Sequence, residues 1–138
     1  MIGVILCTHS VFADGLKEAI EMIAGKQDYF DSICFMNGDD PEELTERIKA
    51  AAQKYRDAKM PFFIAVDLYA ATPFNAALRM ALEDNILMMA GANMPFLLEV
   101  LTSRDSFEDG DLKTFLEDAL ESTRNNMQVI APQDLLGE

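Results

Sequence analysis

The sequence predicts an α/β fold, in which a doubly wound and mostly parallel sheet of about five strands has helices on both faces. Short apolar runs rich in β-branched residues alternate with longer amphipathic stretches, and this alternation is typical of parallel strands joined by helices. The chain has 138 residues, of which 50% are hydrophobic, so it is large enough for a core of its own. No linker, low-complexity segment or internal repeat interrupts it, and a single domain over residues 1–138 is expected.

Two strands and two helices are predicted in the first part of the chain. Residues 2–7 are apolar and β-branched, as in a buried strand, and a helix begins near Asp14. Residues 30–36 form the second strand. The second helix begins at Asp40 and Pro41, because aspartate can cap the free amides of a helix and proline suits the first turn.

The same alternation continues through the next two strands. Residues 62–67 form a third strand that is apolar until Asp67, and Thr72 begins the helix after it. Residues 86–90 form a fourth strand, and Asn93 can cap the helix that follows. These strands therefore predict the rest of a parallel sheet.

The end of the chain predicts one more helix and one more strand. Residues 111–124 have apolar positions at helical spacing, and residues 127–130 form a short apolar segment that predicts a fifth strand. Periodicity does not decide whether this strand is parallel or antiparallel. The residues after it predict a polar tail.

Composition excludes several classes of partner and cofactor. The chain has 24 acidic and 11 basic residues and a formal net charge of -13, which argues against nucleic acid and anionic membranes, since both need clustered Lys and Arg. No apolar run is long enough for a membrane span and no signal peptide precedes the first strand, so a cytoplasmic location is expected. Cys7 and Cys34 are expected to be core residues, and one histidine without a cysteine cluster predicts no metal site. Neither GxxxxGK[ST] nor GxGxxG occurs, so no nucleotide cofactor is expected.

His9 is the only histidine, and it follows the first predicted strand directly. Open α/β sheets bind ligands in the crevice beyond the carboxyl ends of their strands. An imidazole placed there can accept a group and pass it on, which predicts a catalytic role for His9. The alternative is a histidine that is hydrogen-bonded at a strand end and has no chemistry.

Asp67 and Thr72 are the residues that fit beside this histidine. Asp67 ends the third strand, so its carboxylate can accept a hydrogen bond from one imidazole nitrogen and leave the other nitrogen free as a nucleophile. The alternative for Asp67 is a loop cap that binds nearby backbone amides. The hydroxyl of Thr72, the amides at the start of its helix and the helix dipole would form an anion site, an interpretation compatible with a simple N-cap. A histidine, an orienting carboxylate and an anion site, without metal or nucleotide, fit phosphoryl transfer between histidines.

Three segments resemble a known family. They are residues 8–16 (THSVFADGL), 66–77 (VDLYAATPFNAA) and 93–99 (NMPFLLE). In this order and spacing they resemble the mannose-family IIA component of the bacterial phosphoenolpyruvate-dependent sugar phosphotransferase system, and the resemblance spans most of the chain.

The resemblance implies a function, partners and roles for individual residues. It implies a homodimer that exchanges its last strand, and a histidine that is phosphorylated by the phosphocarrier HPr and dephosphorylated by a IIB component, with the membrane permease reached only indirectly. Carried over to this chain, His9 is the phosphorylated residue, Asp67 its orienting partner and Thr72 the hydroxyl beside the phosphate. Ala71 and Ser10, which adjoin Thr72 and His9, complete the predicted phosphate-binding residues.

The chain departs from the family pattern in two loops. The family usually has glycine after the histidine, where this chain has Ser10, and Gly-Gly-Ser where this chain has Ala70, Ala71 and Thr72. A residue with a Cβ atom costs about 1 kcal/mol or more where the backbone needs a positive φ. Either these loops avoid that conformation or the phosphate site has a different shape.

Two alternative functions remain open. A IIA-like regulatory subunit, which acts on a dihydroxyacetone kinase or another partner that is not a permease, would have much the same sequence. A receiver or flavodoxin-like domain would share the predicted fold. A receiver, however, needs an acidic pair at the end of its first strand, where this chain has His9.

Overall fold

A parallel sheet between two layers of helices organises the protein, shown here by a computed structural model that describes residues 1–137. The sheet has four strands in the order β2-β1-β3-β4. The strands are β1 (Gly3–His9), β2 (Phe30–Phe35), β3 (Phe62–Val66) and β4 (Met88–Ala90). The α-helices of the described residues are α1 (Phe12–Ala24), α2 (Pro41–Asp57), α3 (Thr72–Asp84), α4 (Met94–Ser103) and α5 (Leu112–Thr123). The predicted α/β fold class is confirmed.

The sheet is buried on both faces, which explains the continuous apolar runs of its central strands. Successive residues of β1 point to opposite faces, so Val4 and Leu6 join one core cluster while Ile5 and Cys7 join the other. The first cluster is completed by residues of α1, α4 and α5, and the second by residues of α2 and α3. Helices therefore lie on both faces, as predicted.

Two helix starts follow the predicted capping chemistry. Asp40 Oδ1 accepts a hydrogen bond from the amide of Glu42 at 3.3 Å, and Asn93 Oδ1 accepts one from the amide of Phe96 at 2.9 Å. These side chains replace partners that the first turn of a helix cannot provide for its own amides.

The predicted fifth strand is wrong for the described chain. Residues 127–130 pair with no strand; they follow α5 and the 3-10 turn Arg124–Asn126 as an irregular segment. Met127 is 92% exposed and Val129 is fully exposed. The apolar pattern is typical of a strand, but a strand also needs an edge to pair with, and in the described chain the segment pairs with neither edge of the sheet. β4 therefore remains an open edge.

The two cysteines differ in environment. Cys7 is buried in β1, as predicted, and burial raises the pKa of its thiol from 9.0 to about 12. Cys34 lies in β2 but is only partly buried, and both thiols are free. None of the helices in residues 1–137 is both long enough and apolar enough to span a membrane.

Candidate active site

His9 and Asp67 meet at the carboxyl edge of the sheet. His9 is the last residue of β1 and Asp67 follows β3, and the two strands pair in parallel with Cys7 opposite Val66. The Nδ1 atom of His9 lies 2.9 Å from Oδ2 of Asp67, and the same oxygen accepts the backbone amide of His9 at 3.1 Å. The two interpretations of Asp67 therefore coexist, because one carboxylate binds both a backbone amide and the imidazole.

This contact fixes which ring nitrogen is free. A carboxylate only accepts hydrogen bonds, so Nδ1 must donate and must carry the proton. Nε2 then keeps its lone pair. The His9 side chain is 45% exposed whereas that of Asp67 is 15% exposed, so the ring is reachable from solvent while its orienting partner is shielded.

Two further observations describe the surroundings of the His9 ring and of Asp67. The rings of His9 and Phe35 are arranged edge to face, with the centroids 6.4 Å apart and the planes at 78°. The other carboxylate oxygen of Asp67, Oδ1, is buried and has no hydrogen-bond partner among the described residues. Both hydrogen bonds of the Asp67 carboxylate are therefore made by Oδ2, and both are to His9.

Two residues beside the site adopt the left-handed conformation that favours glycine. Ser10 has a φ of 51° and Ala70 a φ of 65°, whereas Ala71 has an ordinary φ of -88°. The loops therefore keep the backbone shape that needs positive φ even though this chain has Cβ atoms there. The sequence left open whether these loops avoid the left-handed conformation. They do not avoid it, because Ser10 and Ala70 both adopt it.

The start of α3 lies five residues after Asp67 and has free donors. Ala71 occupies the N-cap position and Thr72 is the first helical residue, so the Thr72 hydroxyl does not cap the helix. Proline has no amide hydrogen, so Pro73 donates nothing, and the amides of Thr72 and Phe74 are those that a helix start leaves without an intrahelical partner. Together with the Thr72 hydroxyl they can bind an anion.

The other two residues predicted to bind phosphate have less to offer. The amide of Ser10 donates to Phe35 O at 2.7 Å, which leaves its exposed hydroxyl as the available group. The amide of Ala71 donates to Leu68 O at 3.4 Å, a long contact.

Sequence reasoning missed one residue of the site. Thr8 is buried, and its hydroxyl accepts the amide of Ala13 at 2.7 Å and donates to His9 O at 3.1 Å. The signal was present, since a hydroxyl residue four positions before the first residue of a helix can reach its first turn.

Exposed apolar side chains lie at the start of α1 and in the loops that leave the same edge of the sheet. They follow the ends of β1, β2 and β3. These residues, here called the apolar rim, are Val11, Phe12, Met36, Leu68 and Tyr69. No group of three or more His, Cys, Asp or Glu side chains suited to a metal ion occurs in the described part of the chain.

Comparison with known proteins identifies the family. The family model EIIA-man, described as "PTS system fructose IIA component", matches residues 3–119. The chain belongs to this mannose family of phosphotransferase system IIA components. The resemblance seen in the sequence is confirmed, and the protein is a IIA component of the sugar phosphotransferase system.

Individual relatives of this IIA component differ in the sugar that their names give. It is 32% identical over 134 residues to the PTS system fructose-specific EIIA component of Bacillus subtilis (strain 168), covering 96% of this chain and 84% of that one. It is 31% identical over 130 residues to the PTS system mannose-specific EIIAB component of Escherichia coli (strain K12), covering 94% of this chain but 39% of the relative. Among solved structures, the phosphotransferase system component EIIA from Streptococcus agalactiae superposes with a TM-score of 0.83 at 25% identity, covering 94% of this chain and 97% of that one.

Proposed function

We propose that this IIA component is a phosphohistidine carrier, in which His9 accepts a phosphoryl group from HPr and passes it to a IIB component during sugar uptake. The observation that supports this most directly is the 2.9 Å contact between His9 Nδ1 and Asp67 Oδ2, which leaves Nε2 of a half-exposed ring as the nucleophile. Membership of the phosphotransferase IIA family supports HPr and a IIB component as the two partners.

Transfer balances with the groups at the site and the phosphohistidine of the donor. The Nε2 lone pair of His9 attacks phosphorus, a new N–P bond forms and the N–P bond to the donor histidine breaks, with its electron pair returning to the donor ring. The phosphorylated ring of His9 keeps its proton on Nδ1 and is therefore positively charged. Asp67 stabilises that charge across the same hydrogen bond, and a nucleophile on IIB then removes the phosphoryl group by the same displacement.

The start of α3 stabilises the transferring phosphoryl oxygens in this proposal. The amides of Thr72 and Phe74, the Thr72 hydroxyl and the positive end of the helix dipole provide hydrogen bonds and charge complementarity. Phosphoryl transfer depends mainly on such positioning and charge stabilisation, so no cofactor is required.

The apolar rim gives both partners a surface to bind in turn. HPr and IIB must each bring their reactive group to His9, and exposed apolar residues at the mouth of a site are typical of protein interfaces. In this scheme the membrane permease is reached only through IIB, and the exchange takes place in the cytoplasm.

Radiolabelled phosphoenolpyruvate, supplied with the first enzyme of the system and HPr, tests the proposal. We expect one acid-labile label per chain, its disappearance in His9→Ala, and its movement to IIB on addition of that component. An acid-stable label that persists in His9→Ala would overturn the assignment. Transfer to a dihydroxyacetone kinase instead of IIB would favour the alternative function.

We further propose that the protein is a homodimer in which residues 127–130 pair with β4 of a second copy. These residues are apolar and exposed, and β4 is an open edge beside a groove of about 260 Å³ that includes Leu116 and Leu120. Sedimentation should show a dimer that Val129→Asp converts to a monomer; a monomeric wild-type protein would contradict this.

A further inference from the structure

Thr8 holds the backbone carbonyl of His9, whereas Asp67 holds its backbone amide. The side chain of Thr8 is completely buried at the end of β1. The hydroxyl donates its one proton to His9 O at 3.1 Å and accepts the amide of Ala13 at 2.7 Å. Thr8 thereby links the carbonyl of the reactive histidine to the first turn of α1.

The other main-chain group of His9 is also held by a side chain. Its amide donates to Asp67 Oδ2 at 3.1 Å, and the next amide, that of Ser10, donates to Phe35 O at 2.7 Å. His9 is therefore fixed at its amide by Asp67, at its carbonyl by Thr8, and just beyond, at Ser10, by β2. The chain then turns through the left-handed Ser10 into α1.

The start of α1 depends on the same hydroxyl. Val11 occupies the N-cap position and makes no capping hydrogen bond with its side chain. The Thr8 hydroxyl takes over that task from outside the helix, by accepting the amide of Ala13. If the hydroxyl is lost, the buried amide of Ala13 and the partly buried carbonyl of His9 lose a partner at once.

We propose that Thr8 is a positioning residue for phosphoryl transfer, and that its hydroxyl keeps the His9 ring aligned on Asp67 with Nε2 facing the incoming phosphorus. This inference rests on the proposed carrier function. Thr8 touches no reacting atom; it acts by preventing the main chain of His9 from shifting, since small misplacements of a reacting group can reduce rates by about 100-fold.

The test compares Thr8→Val, which keeps the shape and removes the hydroxyl, with Thr8→Ser, which restores the hydroxyl. Thr45→Val is the matched control, because Thr45 is also buried and its hydroxyl also donates to a backbone carbonyl, that of Ala76 at 3.0 Å. This hydrogen bond lies on the face of the sheet opposite α1. Each variant is assayed for phosphoryl uptake from phosphorylated HPr, for its thermal midpoint, and for the ¹⁵N chemical shifts of the His9 ring, which report where the ring proton lies.

We expect Thr8→Val to slow uptake by about tenfold or more and to move the ring from the single Nδ1–H form to a mixture of tautomers. Thr8→Ser should recover most of the rate, and Thr45→Val should lose stability without changing the ring spectrum. A Thr8→Val protein that has the wild-type ring spectrum and rate would overturn the proposal. So would a Thr45→Val protein that loses as much rate as Thr8→Val.

Two further outcomes are distinguishable. If Thr8→Val does not fold, Thr8→Cys replaces it, because cysteine has a similar volume and a weaker hydrogen-bonding group. Phosphoryl uptake by Thr8→Cys should be at least about threefold slower than uptake by Thr8→Ser, and equal rates would overturn the proposal. If the wild-type protein accepts no phosphoryl group, the carrier function fails, while the ring spectrum still decides whether Thr8 positions His9.

Discussion

Replacing Ser10 or Ala70 by glycine should stabilise the protein, because both residues have a left-handed backbone beside the active site. Their φ values are 51° and 65°. Glycine adopts this conformation without the contact between Cβ and the backbone that raises its energy for other residues. The same substitution at Ala71, the neighbour of Ala70, should have the opposite effect, because its φ is -88°.

The size of the effect follows from two opposing terms. The left-handed conformation costs a residue with a Cβ atom about 1–2 kcal/mol, and glycine loses about 0.5–1 kcal/mol more conformational entropy on folding. The difference is a gain of about 0.5–1 kcal/mol at Ser10 or Ala70, and a loss of about 0.5–1 kcal/mol at Ala71. At about 2.1 cal/mol/K of unfolding entropy per residue, a gain of 1 kcal/mol raises the Tm of a 138-residue chain by about 3 °C.

Calorimetry and urea unfolding of the single variants measure these differences. Lys59→Gly is the matched control away from the site, since Lys59 has a φ of 54° in the turn between α2 and β3 and should also gain stability. The reasoning is refuted if Ala70→Gly and Ala71→Gly change the free energy of unfolding by the same amount and sign. A gain at Lys59 with losses at Ser10 and Ala70 would show that Cβ contacts at the site outweigh the backbone term.

Three other predictions concern charge and burial. Asp67→Asn should slow phosphoryl uptake by about 100-fold or more in the labelling assay, because an amide does not stabilise the charged ring and favours the wrong tautomer. Asp118→Asn, on the exposed face of α5, is the control and should keep the wild-type rate. The pKa of the Cys7 thiol is raised from 9.0 to about 12, so as the pH rises the unfolded chain releases this proton before the folded chain does. The contribution of the buried neutral thiol to stability is therefore complete below pH 9 and is lost as the pH rises towards 12. In urea unfolding, wild-type protein should lose about 2 kcal/mol more than Cys7→Ala between about pH 7.5 and about pH 10.5, and equal losses would contradict the burial argument. The buried guanidinium of Arg104 donates to the carbonyls of Ile2, Asp28 and Tyr29, which Arg104→Leu would leave without this partner. At about 1–3 kcal/mol for each unsatisfied buried group, the substitution should cost about 3 kcal/mol or more in the same measurement. A cost below about 1 kcal/mol would show that these bonds contribute little.

Sequence reasoning succeeded where the signal is local. The apolar runs of the four observed strands and the caps at Asp40 and Asn93 depend on neighbouring residues, and the structure has them at or within two residues of the predicted positions. The contact between His9 and Asp67 was also predictable, because parallel strands bring their carboxyl ends to one edge.

It failed where a residue depends on a distant partner. Residues 127–130 have the pattern of a strand, but pattern does not supply an edge to pair with. The left-handed backbone of Ser10 could not be deduced either, because it is held by the amide contact to Phe35 on another strand rather than by a local preference. Thr8 is a different case, because its partners His9 and Ala13 are close in sequence and the spacing that predicts its contacts was present.

The ring nitrogen of His9 that carries the phosphoryl group decides whether Asp67 orients this histidine for transfer. Protein labelled with ¹⁵N is phosphorylated through HPr, and ¹⁵N and ³¹P spectra of the ring then show which nitrogen is bound to phosphorus. Because Nδ1 donates to Asp67 at 2.9 Å, we expect phosphorus on Nε2 with the proton retained on Nδ1. Phosphorus on Nδ1, or on any residue other than His9, would contradict it.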